Sequence, residues 1–136
     1  MSDSRKRIEV AAALVFRNGL LLIAKRRAQD HLGGLWEFPG GKREASETFQ
    51  ECLKRELQEE LGIEVRVENL FEKISHDYPD KSVDLKFFRC TLLCGEPKPI
   101  FCDEVAWVTA VQLCNYQFPA ADACLLEKLK ALPEFA

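Results

Sequence analysis

The stretch of sequence that decides the fold runs from Gly41 to Ile63 and reads GKREASETFQECLKRELQEELGI. Strong helix formers fill its second half, which contains no Gly or Pro, so it predicts a helix over Thr48–Leu61. Thr48 and Glu51 have the spacing of a capping box, and Gly62 is suited to end the helix. Leucines at every fourth position predict the face of the helix that packs on the core, and they are Leu53, Leu57 and Leu61.

Three carboxylates lie close together on the predicted helix. Their spacing of i, i+3 and i+4 puts Glu56, Glu59 and Glu60 on one arc of the helix surface. Like charges at this spacing repel by a few tenths of a kcal/mol, roughly, for each pair. The arrangement is either a solvated face or a site where a divalent cation such as Mg²⁺ or Mn²⁺ relieves the repulsion, since hard cations take oxygen ligands.

The composition is that of an ordinary globular protein, with 47% hydrophobic and 30% charged residues. No repeat or long linker divides the chain, so we expect a single domain over residues 1–136. The formal net charge of -3 offers no bulk attraction to a polynucleotide or to an anionic membrane. Because the sequence shows neither a membrane span nor a secretory signal, we expect a cytoplasmic protein.

Six cysteines are scattered through strand-like and helix-like segments, and no pair has the C-x-x-C spacing of a zinc site. We therefore expect free, buried thiols rather than disulfides. The positions are Cys52, Cys90, Cys94, Cys102, Cys114 and Cys124.

Apolar and β-branched segments elsewhere predict strands that mix with the helices in no regular βαβ alternation. A hairpin is expected where Val10–Phe16 and Leu20–Ala24 flank the turn signal Asn18-Gly19, and residues 29–42 are expected to form a loop. Leucines at helical spacing predict a terminal helix over Ala120–Leu132. This pattern predicts an α+β fold with a mixed sheet. Further strands are predicted at Ile63–Val67, Phe71–Ser75, Val83–Leu93 and Val105–Val108.

The stretch from Gly41 to Ile63 resembles the Nudix box, G-x5-E-x7-R-E-U-x-E-E-x-G-U with U aliphatic, and all nine specified positions are filled. The resemblance implies the Nudix fold, in which helices flank a mixed sheet as an α/β/α sandwich. It also implies that a metal is held by the three helix carboxylates Glu56, Glu59 and Glu60 together with the carbonyl of Gly40. The structural residues of the box would be Gly41, Glu47, Arg55 and Gly62.

Arg55 has two interpretations. By the resemblance it pairs with Glu47 and braces the loop against the helix, and the alternative is a direct contact with a phosphate. We favour the brace.

Similarity to the MutT group of this family extends over nearly the whole chain, through KRRAQDHLGGLWEFPGGK from Lys25, DYPDKSVDLKFF from Asp77 and FPAADACLLEKLKAL from Phe118. It implies a Mg²⁺-dependent enzyme that hydrolyses oxidised nucleoside triphosphates such as 8-oxo-dGTP before they enter DNA. The expected partner is a small nucleotide, and the protein would be a monomer or homodimer. Carried over position by position, the substrate-binding residues are Arg27, His31, Glu37, Phe38, Lys81 and Asp122.

Three of these assignments have simple structural alternatives. Arg27 could be a solvated strand end and His31 a solvated loop residue. Asp122 could serve only as an acid at the positive end of a helix.

Two departures from the 8-oxoguanine-selective enzymes concern the base. Lys81 replaces an arginine and Asp122 replaces an asparagine. An ionised aspartate only accepts hydrogen bonds, so it suits a base edge rich in donors, such as the amine of cytosine or the N1–H and N2–H₂ edge of guanine. Asp122 resembles the related group that hydrolyses CTP and modified pyrimidine nucleotides, which is the alternative substrate class.

In MutT-like enzymes water attacks the β-phosphorus and a carboxylate near the metal takes the proton. A further glutamate of the MutT group corresponds here to Phe101, so the candidates for the base are Glu104 or Asp103 nearby, or Glu59 or Glu60 of the box. The resemblance also leaves two rival functions. One is a non-hydrolytic Nudix-like module that recognises a base, and the other is an enzyme for nucleotide sugars or dinucleotides.

Overall fold

The computed structural model describes residues 6–133 and 135. Within these residues the chain forms seven strands, three α-helices and one short 3₁₀ turn. The helices are α1 (Phe49–Leu61), α2 (Ala110–Leu113) and α3 (Ala123–Lys130), and the 3₁₀ turn is Ala120–Asp122. The strands are β1 (Lys6–Arg17), β2 (Leu20–Lys25), β3 (Trp36–Glu37), β4 (Gly40–Lys42), β5 (Glu64–Asp77), β6 (Lys81–Cys94) and β7 (Glu104–Val108).

The central strand is β1, whose residues 11–15 are all buried. It pairs in parallel with β6, from Lys6 opposite Lys81 to Val15 opposite Cys90, and antiparallel with β2 and β4. The strand order is β3-β2-β1-β6-β5, with β4 also on β1 and β7 on β2. Parallel and antiparallel pairs coexist, which confirms the predicted mixed sheet.

Successive residues of a strand point to opposite faces, so β1 contributes to two core clusters. Ala11, Ala13 and Val15 pack in the cluster that contains the leucine stripe of α1. Ala12 and Leu14 pack in the cluster that contains the buried leucines of α3. Helices thus cover both faces of the sheet, which confirms the predicted sandwich.

The predicted hairpin and helices are present, and the differences lie in the strands. The turn between β1 and β2 has Asn18 at φ 52° and Gly19 at φ 77°, as a two-residue hairpin requires. The segment predicted as a loop over residues 29–42 contains β3 and β4. The two strands predicted at Ile63–Val67 and Phe71–Ser75 are one strand, β5, whose register against β6 shifts between Val67 and Glu72. The predicted terminal helix is a 3₁₀ turn followed by α3.

The cysteines are free, but the prediction that they are buried was wrong for four of them. Only Cys52 and Cys90 are buried, and Cys102 is half-buried. The other three are exposed because they follow the buried part of β6 or lie on the outer side of the C-terminal helices, namely Cys94, Cys114 and Cys124. Among the described residues, no helix combines the length and the apolar character that a membrane crossing requires.

Candidate active site

The helix α1 begins and ends as its sequence dictates. The Thr48 side chain accepts from the Glu51 amide at 3.0 Å and the Glu51 carboxylate accepts from the Thr48 amide at 2.8 Å, which is a complete capping box. Gly62 takes the left-handed conformation at φ 69° that terminates the helix. The carboxylates of α1 are therefore carried on a helix with defined ends.

Arg55 ties the loop before α1 to the helix. Its Nη2 donates to Glu47 Oε1 at 2.7 Å and its Nε donates to Glu47 Oε2 at 3.1 Å, a bidentate pair. The hydrogen bond from Arg55 lowers the pKa of Glu47 to about 2. This is the geometry of the brace that the sequence analysis favoured, and Arg55 is not among the residues that line the cavity described below.

The same guanidinium also reaches the carboxylate ridge, which is formed by the side chains of Glu56, Glu59 and Glu60 on α1. Arg55 Nη1 donates to Glu56 Oε1 at 2.8 Å and to Glu59 Oε2 at 3.3 Å. The Glu56 carboxylate lies against Gly41, because a Cβ added at Gly41 would be 2.4 Å from Glu56 Cδ. The Glu59 side chain is 55% exposed. Two of the three predicted metal ligands are thus held by Arg55 at the edge of the site.

Glu60 differs from its two neighbours because it lines a cavity of about 480 Å³. Burial, with Glu56 and Glu37 adding to it, raises the pKa of Glu60 to about 8, although a hydrogen bond from the Gly40 backbone acts in the opposite direction. An ionised Glu60 is therefore costly unless a positive charge approaches it.

The donor set around Glu60 fits a hard divalent cation in part. Among residues 6–133 and 135, no three Asp, Glu, His or Cys side chains converge on one point as a complete cation site. Mg²⁺, however, typically uses one or two carboxylates and completes its shell with waters and the phosphates of its substrate. Oxygen donors, mutual repulsion among the carboxylates and the space at Gly41 that Glu56 fills are consistent with such an ion.

The floor of the cavity is an apolar strip on the sheet. In the parallel register of β1 and β6, Ile8 is opposite Val83 and Val10 is opposite Leu85. Residues two apart on a strand share a face, so these four side chains lie side by side. Phe38 closes the strip and stacks on Phe118, with ring centroids 5.1 Å apart and planes at 24°. A flat, apolar surface of this kind suits a planar ring.

Asp122 lies in the wall of this cavity at the N-cap position of α3, and it is only 8% exposed. Its side chain makes no capping hydrogen bond to α3. Burial, together with the charge of Glu37, raises the pKa of Asp122 to about 6. The Asp122 carboxylate therefore does not act as a capping side chain, and its position in the cavity wall places it within reach of a ligand there.

Most of the predicted substrate-binding residues are brought together. The cavity lining includes His31, Glu37, Phe38, Lys81 and Asp122, along with Glu60 and Gly40.

Arg27, by contrast, lies outside the cavity lining. Its guanidinium pairs with Asp30 at 3.0 and 3.1 Å and lies 5.5 Å from the centroid of the Phe101 ring. Arg26 lines the cavity instead. Neighbouring residues at a strand end point to different sides, so only one of the two arginines faces the cavity in this structure.

Glu104 also lies outside the cavity, on β7. It faces Lys25 at 3.9 Å and, with Asp103, lines a separate shallow depression beside Trp36 and Tyr116. Of the four candidates for the base, only Glu60 lines the cavity.

Sequence reasoning missed several residues of the cavity rim. His76 and Tyr78 line it at the turn from β5 to β6, where their rings meet edge to face with centroids 4.5 Å apart. The signal was their position just before Lys81, but the predicted strand ended at Ser75. Leu32 and Phe101, both exposed large apolar side chains, are also part of the lining.

The chain has clear relatives of known structure and activity. A sequence profile described as NUDIX domain matches residues 11–128. The chain is 35% identical to the 8-oxo-dGTP diphosphatase of Escherichia coli (strain K12) over 128 residues, which cover 93% of this chain and 99% of that protein. It is also 35% identical to the CTP pyrophosphohydrolase of the same strain over 127 residues, covering 93% of this chain and 94% of that protein.

A solved structure agrees with these relatives. The solution structure of the E. coli ORF135 protein has a TM-score of 0.80 and 34% sequence identity to the chain, and 94% of each chain is covered. The two E. coli relatives quoted above, one named for 8-oxo-dGTP and one for CTP, are thus equally identical to the chain, at 35%.

Proposed function

The chain belongs to the Nudix family as a pyrophosphohydrolase of the MutT group, and we propose that it hydrolyses oxidised nucleoside triphosphates to a nucleoside monophosphate and pyrophosphate. Its role would be to remove oxidised nucleotides such as 8-oxo-dGTP before a polymerase incorporates them into DNA. The 8-oxo-dGTP diphosphatase among its relatives supports this proposal.

One observation carries the proposal. A single cavity is lined both by Glu60 of the carboxylate ridge and by an apolar strip with the buried acceptor Asp122. Such a cavity can hold the phosphates of a nucleotide near the ridge while its base lies on the strip. A non-hydrolytic module needs no carboxylate ridge, so this arrangement favours an enzyme.

Mg²⁺, or Mn²⁺ in its place, would be held by Glu56, Glu59, Glu60 and the Gly40 carbonyl. The bound cation would neutralise the triphosphate and lower the pKa of the attacking water. The protein's own contribution is positional. Arg26 in the cavity wall would face the phosphates with its positive charge, and the aromatic and aliphatic strip would hold the base. We assign the role of general base, which takes the proton from the attacking water, to a carboxylate of α1 rather than to Glu104 or Asp103.

The test is release of pyrophosphate in the presence of Mg²⁺ from CTP, dCTP, 5-hydroxy-dCTP, dGTP and 8-oxo-dGTP. We expect kcat/KM for 8-oxo-dGTP to exceed that for dGTP by at least tenfold, and chelation of the metal to abolish release. Products other than a monophosphate and pyrophosphate, or equal rates with dGTP and 8-oxo-dGTP, would contradict the proposal.

A second candidate, a CTP or modified-pyrimidine pyrophosphohydrolase, is favoured by Asp122 and by the CTP pyrophosphohydrolase among the relatives. An ionised aspartate accepts from the cytosine amine but cannot donate to a base oxygen. Higher kcat/KM for dCTP or 5-hydroxy-dCTP than for 8-oxo-dGTP would establish this candidate in place of the first.

Asp122→Asn should lower kcat/KM for the best substrate by roughly tenfold to a hundredfold, because a hydrogen bond to a charged group contributes about 1.5–3 kcal/mol. Since burial raises the pKa of Asp122 to about 6, the contribution of Asp122 to wild-type folding stability should fall as the pH rises from about 4 to about 6. In that interval the unfolded chain has already released the proton that the folded chain retains.

The variant removes this cost, so thermal unfolding should show Asp122→Asn more stable than wild type at pH 8 and equal to it near pH 4. The measurement is made without metal. A difference in melting temperature that is the same at both pH values would show that the effect does not come from the charge of Asp122.

A further inference from the structure

Arg26 is held in the cavity wall by two of its donor groups. Its Nε donates to the His31 carbonyl at 2.6 Å and its Nη1 donates to Glu37 Oε1 at 2.6 Å. Its backbone is also fixed, since the Arg26 amide donates to the Leu35 carbonyl at 2.9 Å and the Gly34 amide donates to the Arg26 carbonyl at 3.1 Å. Within the described part of the chain, Arg26 Nη2 has no hydrogen-bond acceptor. The guanidinium is therefore oriented and retains donors for a ligand.

Glu37 is the anionic partner that fixes this orientation. It belongs to β3, opposite Ala24 of β2, and its side chain lines the cavity, whereas the neighbouring Trp36 lines the depression beyond the sheet. The side chains of Arg26 and Glu37 are 30% and 29% exposed, so the pair is largely shielded from water. Among residues 6–133 and 135, Arg26 is the hydrogen-bond partner of the Glu37 carboxylate.

A negative charge at this position is unfavourable for the rest of the cavity. The charge of Glu37 raises the pKa of both Glu60 and Asp122, which shows that it lies within electrostatic reach of each. It would also repel a triphosphate directly. A carboxylate here is therefore a poor direct ligand for the phosphates, and the contact that favours it is the one to Arg26.

We propose that Glu37 is a positioning residue that acts through Arg26, holding the guanidinium so that its remaining N–H groups meet a phosphate oxygen of the bound nucleotide. The inference rests on the proposed function for the identity of that nucleotide. It differs from the expectation that Glu37 itself contacts the substrate. Charge-assisted hydrogen bonds to an arginine fork fix direction as well as distance, which is what a phosphate contact needs.

The test is a double-mutant cycle with Glu37→Gln, Arg26→Gln and the double variant. Inorganic triphosphate with Mg²⁺ is the probe, and its Kd is measured by calorimetry. We expect Glu37→Gln to weaken binding by about tenfold and Arg26→Gln to weaken it by more, whereas the double variant should bind as tightly as Arg26→Gln or more tightly, because the repulsion from Glu37 is then gone. Non-additivity of this kind is expected only if Glu37 acts through Arg26.

Steady-state kinetics give a second measurement. A phosphate contact made in both the bound substrate and the transition state appears in KM. Glu37→Gln should therefore raise KM for the best nucleotide of the panel by about tenfold, with kcat within about threefold of wild type. A purely structural loss would instead lower the fraction of active protein and leave KM unchanged.

Glu9→Gln is the matched control. Glu9 accepts from Arg43 Nη2 at 2.6 Å, and those two side chains are 32% and 24% exposed, so the pair resembles Arg26–Glu37 in length and burial. It lies outside the cavity lining. Its substitution should change the melting temperature at most, with the Kd for inorganic triphosphate within twofold of wild type.

Any of three results overturns the inference. One is additive losses in the cycle, which would mean that Glu37 acts independently of Arg26. The second is unchanged binding in Glu37→Gln, and the third is no binding of inorganic triphosphate by wild type. Failure of the proposed function is seen separately, as absence of pyrophosphate release from every nucleotide of the panel by the wild-type enzyme.

Discussion

Glu60→Gln should lower kcat by on the order of 10³ while the protein remains folded, because it removes the one ridge carboxylate that lines the cavity. The amide keeps the shape of the side chain and can still accept the hydrogen bond from the Gly40 backbone. It cannot balance the charge of a divalent cation held against a triphosphate. In the described part of the chain no salt bridge involves Glu60, so the substitution breaks no ion pair of the fold.

Three measurements check this prediction. Pyrophosphate release gives kcat, paramagnetic resonance of Mn²⁺ gives metal affinity, and thermal unfolding reports the fold. Glu127→Gln is the control, since Glu127 is an exposed helix glutamate whose ion pair, within the described residues, is with Lys130 at 3.2 Å. Mg²⁺-dependent turnover of Glu60→Gln within tenfold of wild type would refute the role of this carboxylate.

Glu59→Gln should also lose most turnover with the fold intact, as the resemblance implies for every carboxylate of the ridge. Glu59 lies outside the cavity lining and contacts Arg55 at 3.3 Å. Glu59 is tied to this arginine through Oε2, whereas Glu60 already faces the cavity. Near-normal Mg²⁺-dependent activity in Glu59→Gln would contradict its assignment as a ligand or base.

Helix α1 could be predicted from the sequence because its signals are local. The cap at Thr48, the glycine at position 62 and the leucine stripe each depend on residues within a few positions of one another, and all three are present. The spacing of the carboxylates follows from the helix period alone. The sandwich around the sheet followed in turn from the resemblance that this stretch carries.

The cavity could be predicted only in part because its wall depends on long-range pairing. Arg26 and Arg27 are adjacent, and only the course of the chain after β2 decides which of them faces the cavity. The sequence gives no indication of where Glu104 lies relative to α1. In the structure, the pairing of β7 with β2 places Glu104 beside Lys25. Placing His76 and Tyr78 at the cavity required the length of β5 to be known. That strand continues past a bulge that no local sequence signal predicts.

Gly41→Ala should leave the fold intact and lower kcat by about a hundredfold or more. The added methyl group would push the Glu56 carboxylate out of its position in the ridge, and small displacements of catalytic groups cost much of the rate. A Cβ at this position would lie 2.4 Å from Glu56 Cδ and 2.5 Å from Glu56 Oε2. Those atoms are the far end of a flexible side chain, so they can move at little cost to folding. Arg55 would then lose its 2.8 Å contact with Glu56, and metal affinity should fall with it.

Gly40→Ala should fail in a different way, although it is the adjacent residue. Its Cβ would lie 1.9 Å from the Ala11 carbonyl oxygen and 2.8 Å from Ala12 Cα, which are backbone atoms of the buried central strand. Those atoms cannot move without disturbing the pairing of β1 with both β4 and β6. We expect a loss of about 4 kcal/mol or more in the free energy of unfolding, the range of severe core defects.

Urea unfolding and Mn²⁺ binding of the two variants separate these expectations. Gly41→Ala should unfold at nearly the wild-type midpoint yet bind Mn²⁺ weakly, whereas Gly40→Ala should unfold at a much lower midpoint. Full activity in Gly41→Ala would mean that the position of the Glu56 carboxylate is not needed for turnover. A wild-type midpoint in Gly40→Ala would mean that β4 can move away from β1 at no cost in stability. Some feature other than the close approach of these two strands would then position Gly40 beside Glu60.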